Sequence, residues 1–305
     1  MPSTDVLVSI CLPVRNGASR LEPVVQSILA QDHADLELII SDNASSDGTE
    51  DVCRALAAAD RRIAYHRQPE NIGLLNNFIA AMRLARGTFI RWVGDDDWLA
   101  PNCLSQSLEV LAADQRLILV TMGMAYVGDD GVTETADYRG RALASDDPIE
   151  RFTEMLRLLN DSHLLIDPLY GLMRREAIMS IPRRNMLRED QIFAAKLALA
   201  GPWGHVHEVL GRRGWRDESR PVLARRLGVP AWTARAATML QGCELLRWVR
   251  QADLDPDQRR RARKAVLRWY VGRQQLTMSH RARRLAGAAR LGARRGVSGA
   301  SGPAG

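Results

Sequence analysis

The sequence predicts an α/β fold, a mostly parallel sheet flanked by helices, followed by a C-terminal α-helical extension. Three observations carry that expectation. Apolar runs of strand length alternate with helix-like stretches through the first hundred residues. Polar clusters stand at the ends of three of those runs, where open parallel sheets bind their ligands. The charge also reverses along the chain. Up to Gly211 there are 20 Lys/Arg against 30 Asp/Glu, and from Arg212 onward 22 against 6, within a net charge of +6.

The elements follow in order. Residues 6–14 are an apolar strand broken by Asn16-Gly17. Ser19 and Glu22 have the spacing of a capping box, in which serine and glutamate satisfy free backbone N–H groups of a helix reaching about residue 31. Residues 36–41 are a second strand, residues 42–48 a loop, and residues 49–59 a helix. A third strand spans 63–67 and a loop 69–73. A helix over 75–85 stops at Gly87, where glycine tolerates a left-handed turn. Residues 89–93 form a fourth strand running into Asp95-Asp96-Asp97.

Beyond these, a helix over 102–115 and a strand near 117–122 precede a loop or hairpin at 128–148. Helical patterns return at 149–160 and 190–200. After about Pro221 the chain reads as basic helix with Trp232, Leu240, Leu246, Trp248, Val266, Trp269 and Tyr270 as apolar anchors. Val266, Trp269 and Tyr270 share one helical stripe, which leaves Arg259, Arg263 and Arg273 outward. Residues 296–305 read as a flexible tail.

Several classes are excluded or disfavoured. Cys11, Cys53, Cys103 and Cys243 are scattered, without a Cys-x-x-Cys pair, against zinc ribbons and dithiol redox chemistry and in keeping with reduced thiols in a cytoplasm. Neither a secretory leader nor an apolar run of bilayer-spanning length is visible. No Gly-x-Gly-x-x-Gly follows the first strand, against a dinucleotide-dependent dehydrogenase. No lysine or glycine-rich phosphate loop lies between Pro13 and Arg20, which disfavours a nucleotidyltransferase. The basic back lacks a groove-reading motif, so no nucleic-acid partner is expected.

The chemistry concentrates in Gly94-Asp95-Asp96-Asp97-Trp98. Three adjacent carboxylates repel one another. They form either a solvated acidic turn or a hard-oxygen site for Mg²⁺ or Mn²⁺. Glu189-Asp190 opens a helix, where acids favour the helix dipole and one carboxylate can also serve as a base. His205 and His207 alternate, so on a strand they share one face.

These residues resemble those of family 2 glycosyltransferases, which have the GT-A (Rossmann-like) fold. Val8 to Asn16 is similar to that family's opening strand, Asp42 to Thr49 to its second motif, Asn71-Ile72-Gly73 to the third, and Gly87 to Pro101 to the fourth. The resemblance is in register over about residues 6–125 and looser to 220. It implies an inverting transfer of a sugar from a nucleoside-diphosphate sugar, a UDP-sugar favoured, to an acceptor hydroxyl in polysaccharide, glycolipid or other cell-envelope glycan synthesis. Pro13, Asn16, Asp42, Asn43, Gly73, Asp95 and Asp96 would bind the donor. Asp96 would hold a divalent cation with Asp97 in support, and Asp190 would be the catalytic base. The family's Asp-x-Asp usually begins one residue earlier, where Gly94 stands, and it often has a second acid where Asn43 stands. It often places a histidine after an arginine where this chain has Arg212-Arg213-Gly214-Trp215, so Arg212 or Arg213 is expected at the diphosphate.

The expected organisation is a catalytic domain over 1–220, its nucleotide-sugar half about 1–125 and its acceptor half about 126–220. A basic helical extension over 221–295 and the tail at 296–305 follow. A non-catalytic sugar-nucleotide sensor or scaffold of the same fold is the alternative. The expected setting is cytoplasmic, peripheral on the inner face of the plasma membrane. There the basic helices would meet anionic lipid and the acceptor would be lipid-linked.

Overall fold

The fold comes from a computed structural model that describes residues 8–128, 130–161, 167–215 and 219–297, with backbone alone for residue 215 and residues 280–297. Strand β1 (Val8–Val14) and strand β2 (Leu36–Asp42) are buried along their full length. That is the expected state of central strands covered on both faces. Between them runs α1 (Leu21–Leu29). Helix α2 (Thr49–Ala59), β3 (Ile63–Arg67), α3 (Leu74–Leu84) and β4 (Phe89–Trp92) complete the alternating half. Here β3, β2, β1 and β4 are neighbours, and every pairing is parallel.

The second half is mixed. It contains β5 (Trp98–Leu99), α4 (Cys103–Ala113), β6 (Leu119–Gly128), β7 (Thr133–Ala136), α5 (Pro148–Asp161), β8 (Leu172–Arg174), α6 (Arg175–Met179), α7 (Glu189–Ala200) and β9 (Trp203–Trp215). One nine-stranded sheet results, in the order β3-β2-β1-β4-β8-β6-β9-β5, with β7 paired to β6. Short β8 enters antiparallel between β4 and β6, while β6 and β9 run parallel. Residues 128–148 accordingly contain a hairpin, since β7 folds back on β6.

Two local expectations are corrected. Ser19 and Glu22 form no capping box. Arg20 occupies the N-cap position in helical geometry without a side-chain cap. The carbonyl of Gly17 accepts from the backbone N–H groups of Arg20 and Leu21, so that turn is closed by backbone. Gly87 is not a left-handed terminator either, because α3 ends through extended Ala85.

The chain after residue 219 forms α8 (Arg220–Arg226), α9 (Thr233–Gln251) and α10 (Pro256–Val297). These helices share the core of the preceding fold. Leu245 and Val249 of α9, and Ala262, Val266 and Trp269 of α10, join Phe152 of α5 and Phe193 of α7 in one buried cluster. Glu244 of α9 accepts from Lys196 Nζ of α7 (3.2 Å), both buried, and from Arg184 (2.8 Å). The stripe of Val266 and Trp269 is buried as the periodicity requires. Arg273 is not outward, because its guanidinium donates to the carbonyl of Leu159 at the end of α5. Arg259 is half-buried, Arg263 is exposed, and Trp232 is 59% exposed and anchors nothing. Residues 298–305 of the expected tail lie outside the described residues.

Candidate active site

Parallel register brings the strand ends level. Val14 pairs with Asp42, and Asp42 with Arg67. On the other side Cys11 pairs with Trp92, which leads into the acidic triplet. The loops after β1, β2, β3 and β4 therefore open on one edge of the sheet. The C-terminal end of β9 joins them, because β5 pairs with it at Leu99–Gly211 and Trp98–Arg212.

At this edge the residues expected to bind the donor are held by bonds to the loops and strands around them. Pro13 is buried on β1 opposite Ser41. Asn16 is exposed with φ of 54°, and its side-chain oxygen accepts from the N–H of Ser46 at 2.9 Å. Asp42 is fully buried. Its carboxylate accepts from Ser45 N–H and Oγ, from Tyr65 Oη (2.9 Å) and from Arg67 Nη1 (2.8 Å). Burial raises its proton affinity, yet these donors outweigh it and hold the carboxyl below its ordinary range. Four donors occupy the roughly four lone-pair directions of a carboxylate, so Asp42 acts here as the organiser of Tyr65, Arg67 and the Ser45 loop. Asn43 donates to Asn71 Oδ1 and accepts from Ile72 N–H, both at 2.8 Å. That clamp leads into Gly73, whose φ of 87° is costly for any residue with a Cβ.

The acidic triplet divides by environment. Asp95 pairs with Arg20, a partner the sequence did not reveal. Asp96 is exposed, with no hydrogen bond or ion pair to the other described residues. Asp97 is buried and accepts from Gly94 N–H through Oδ2 at 2.7 Å, while its Oδ1 is buried without a hydrogen-bond partner. Burial pushes the Asp97 carboxyl up to about 6, against the pull of Arg213 and Gly94 N–H. A free carboxylate on Asp96 beside an orphaned carboxylate oxygen on Asp97 fits a hard divalent cation. Space for it is kept at Gly214, where a Cβ would lie 3.2 Å from Asp96 Oδ2.

Arg213 connects this triplet to the turn at Asp167 and Tyr170. Its Nε is 3.6 Å from Asp97 Oδ1, its Nη1 pairs with Asp167, and its Nη2 donates to Tyr170 Oη at 2.8 Å. The Tyr170 ring lies under the guanidinium at 3.9 Å. Burial opposes the charge, but Tyr170, Asp167 and Asp97 hold it on. Arg213 is thereby committed to protein partners, whereas Arg212 is exposed over Trp98. Nothing in the sequence singled out Asp167 or Tyr170, because Asp167 caps a short turn at Pro168–Tyr170 and carries no motif. Arg213→Gln is expected to cost about 3 kcal/mol by leaving the Asp97 and Asp167 carboxylates without a cation. Urea unfolding measures it, and an unchanged midpoint would show that the pairing carries no stability.

Asp190 belongs to the same electrostatic group. It keeps an exposed face, yet the protein packed around it, and next the charge of Asp167, push its carboxyl up to about 6 against Gln191 N–H and Arg213. Adjacent Glu189 is tied to buried Arg183, which donates from Nε at 2.7 Å and also from Nη2 and lies over the rings of Trp92 and Phe193. Of the two acids, Asp190 alone is left open. His205 and His207 do not reach this cleft. Along β6, five residues separate the pairing of Thr121 with His205 from that of Tyr126 with Arg213, about 17 Å at strand rise.

A sequence model described as glycosyl transferase family 2 matches residues 9–181. The chain is similar to the abequosyltransferase RfbV of Salmonella typhimurium, 38% identical over 103 residues, which is 33% of this chain and 31% of that one. The chain thus spans about a third of that relative's length. Among solved structures it is similar to S. aureus TarS 1–349 in complex with UDP-GlcNAc (TM-score 0.63, 15% identity, 86% of this chain and 72% of that one). It is also similar to the mannosyltransferase PcManGT from Pyrobaculum calidifontis in complex with GDP-Man and Mn²⁺ (TM-score 0.52, 17% identity, 94% and 80%). At these identities the structural likeness establishes the fold, which is GT-A.

Proposed function

The chain belongs to glycosyl transferase family 2, and from that premise we propose that it transfers a sugar, with inversion, from a nucleoside-diphosphate sugar to an acceptor hydroxyl. A UDP-sugar is the favoured donor, and polysaccharide, glycolipid or another cell-envelope glycan the favoured product. The observation that carries the reading is the linkage through Arg213. Arg213 pairs with Asp97 of the acidic triplet and with Asp167, and the charges of Asp167 and Arg213 both act on the open carboxylate of Asp190. The UDP-GlcNAc of one structural neighbour, and the GDP-Man and Mn²⁺ of another, support a nucleotide-sugar donor and a divalent cation.

In this reading the loops of Asn16, Asn43 and Gly73 form the base and ribose end, and Asp95, held by Arg20, borders the diphosphate. Asp96, with Asp97 in support through the oxygen that lacks a hydrogen bond, would hold Mg²⁺ or Mn²⁺, which when bound neutralises the departing nucleoside diphosphate. Asp190 takes the proton from the acceptor hydroxyl as it attacks the anomeric carbon. Glu189, spent on Arg183, keeps the first turn of α7 in place. A screen of nucleotide-sugars, scored by release of free nucleoside diphosphate with and without Mn²⁺, tests the proposal. Release from a UDP-sugar only with metal and acceptor present is the expected result. Binding of a donor without any release would leave a sugar-nucleotide sensor.

Residence at an anionic membrane surface is part of the same proposal. No helix among the described residues is long and apolar enough to cross a membrane. The outer face of α10 carries exposed Arg260, Arg263, Lys264 and Arg268 around exposed Leu267 and Val271. Each cation at an anionic surface adds about 1 kcal/mol of attraction. The buried side of α10 is needed by the core, so surface substitutions are the proper test. The full chain should co-sediment with anionic vesicles at low salt and be released at high salt. Changing those four cations to glutamine should abolish sedimentation, and equal behaviour of both proteins would discard the membrane role.

A further inference from the structure

Asp137, His205 and His207 stand together outside the donor cleft. His205 and His207 project from the same face of β9, their ring centroids 5.0 Å apart. Asp137 arrives from the far side of the β6–β7 hairpin, one residue after β7 ends. Its Oδ1 lies 2.8 Å from His205 Nε2 and 3.1 Å from His207 Nδ1. One ligand atom from each residue falls within 4.8 Å of the other two.

The short contact between Nε2 and Oδ1 is met either by a ring proton or by a metal ion, and the surrounding hydrogen bonds bear on which. Thr121 Oγ1 lies 3.3 Å from the carbonyl of Gly204 and 2.8 Å from His205 Nδ1. With its one proton on the Gly204 carbonyl, the hydroxyl is an acceptor, and Nδ1 supplies the N–H between them. Nε2 of the neutral ring then bears a lone pair. The N–H of Tyr138 points at the same nitrogen from 3.3 Å, which also requires an acceptor there. Yet the group nearest to Nε2 is the carboxylate oxygen of Asp137, another acceptor. Two lone pairs facing each other at 2.8 Å repel unless a proton on Nε2 or a metal ion lies between them. Arg139 does not serve, because its Nε pairs with the other oxygen, Oδ2, at 2.9 Å. Asp137 Oδ1 is thereby the oxygen that faces both imidazole rings.

We infer that Asp137 Oδ1, His205 Nε2 and His207 Nδ1 form a binding site for a borderline transition-metal ion, Zn²⁺ by chemical class. Two imidazoles and a carboxylate are a zinc donor set, in contrast to the all-oxygen set of Asp96 and Asp97, which suits Mg²⁺ or Mn²⁺. Bonds of about 2 Å to a tetrahedral ion put ligand atoms about 3.3 Å apart, so the two gaps to Asp137 need to open by only a few tenths of an ångström, and the two ring nitrogens already lie within 4.8 Å of each other. Thr121 on His205 Nδ1 supplies the outer hydrogen bond that fixes the tautomer of a ligating histidine. The fourth position opens on a surface cavity of about 700 Å³ bordered by Arg139, Arg141 and Trp203. Such an ion would clasp the exit of the β6–β7 hairpin to β9 and so shape that cavity.

The test uses the full chain, stripped of metal and titrated with Co²⁺, whose visible absorption reports tetrahedral nitrogen and oxygen ligation. The expected result is one equivalent bound, displaced by Zn²⁺ and indifferent to excess Mg²⁺. His207→Ala removes an exposed ring that the core does not need, and Asp137→Asn keeps the side-chain shape. Each should weaken Co²⁺ binding by roughly tenfold or more. Asp96→Asn should leave the spectrum and affinity unchanged. Failure to bind Co²⁺ stoichiometrically, binding unaffected by both His207→Ala and Asp137→Asn, or loss of the spectrum in Asp96→Asn would each overturn the assignment. The last outcome would place the ion in the donor cleft. Because the readout is metal binding, the result is independent of whether any sugar is transferred.

Discussion

Asp190→Asn is expected to depress kcat by roughly 10²–10⁴-fold, the range for losing a positioned general base, with donor affinity nearly unchanged. The expectation rests on the different surroundings of two neighbouring acids. Glu189 is saturated by Arg183, so it cannot take over the proton. Asp190 is open to an acceptor and its carboxyl is pushed up to about 6. A base must be ionised to act, so kcat/KM should climb as pH rises through about 6 and level off above it. Asp97 is also raised to about 6, so metal-free protein should show a second carboxyl titrating in the same range. With the cation bound, the acidic limb should belong to Asp190. Asp190→Asn should then lose that limb together with the rate. A pH profile of the mutant that kept both would move the base elsewhere.

Asp96→Asn should abolish metal-dependent turnover, with a loss of roughly 10²-fold or more, as when one electrostatic stabiliser of a departing anion is removed. The fold should survive, because the substitution relieves repulsion within the triplet and Asp96 has no described partner to lose. EDTA should silence the wild-type enzyme and Mn²⁺ or Mg²⁺ should restore it. Donor binding measured by calorimetry should show the same requirement. Undiminished turnover in EDTA would show that the exposed carboxylate of Asp96 and the orphaned oxygen of Asp97 have some other use.

Much of the frame was legible because it follows from local physics. The apolar runs at β1 and β2 could only be strands buried on both faces, and the loop residues after them are of the turn-forming types. Parallel strands then carried their polar ends to one edge without further information. The capping box illustrates the opposite case. Ser19 and Glu22 have the right spacing, but the Gly17 carbonyl had already closed the turn, and spacing does not report such competition. Arg273 misled for a related reason. Periodicity put it outside the apolar stripe, and the end of α5 supplied a carbonyl to receive it.

By itself the sequence determined the alternating order of strands and helices, the level at which the polar motifs stand, and the apolar stripe of Val266 and Trp269 on α10. These depend on residue type and on spacings of two to four residues. The tertiary structure alone decided which charges are free. Asp42 and Glu189 are consumed by Arg67 and Arg183, Arg213 gathers Asp97 and Asp167, and Asp137 meets two histidines 68 and 70 residues away. The reason is that a carboxylate's reactivity depends on every donor, cation and low-dielectric surface within a few ångströms. Arg67 reaches Asp42 from the adjacent strand, whereas Asp97, Asp167 and Asp137 meet their partners only when β9 crosses the sheet beside β6.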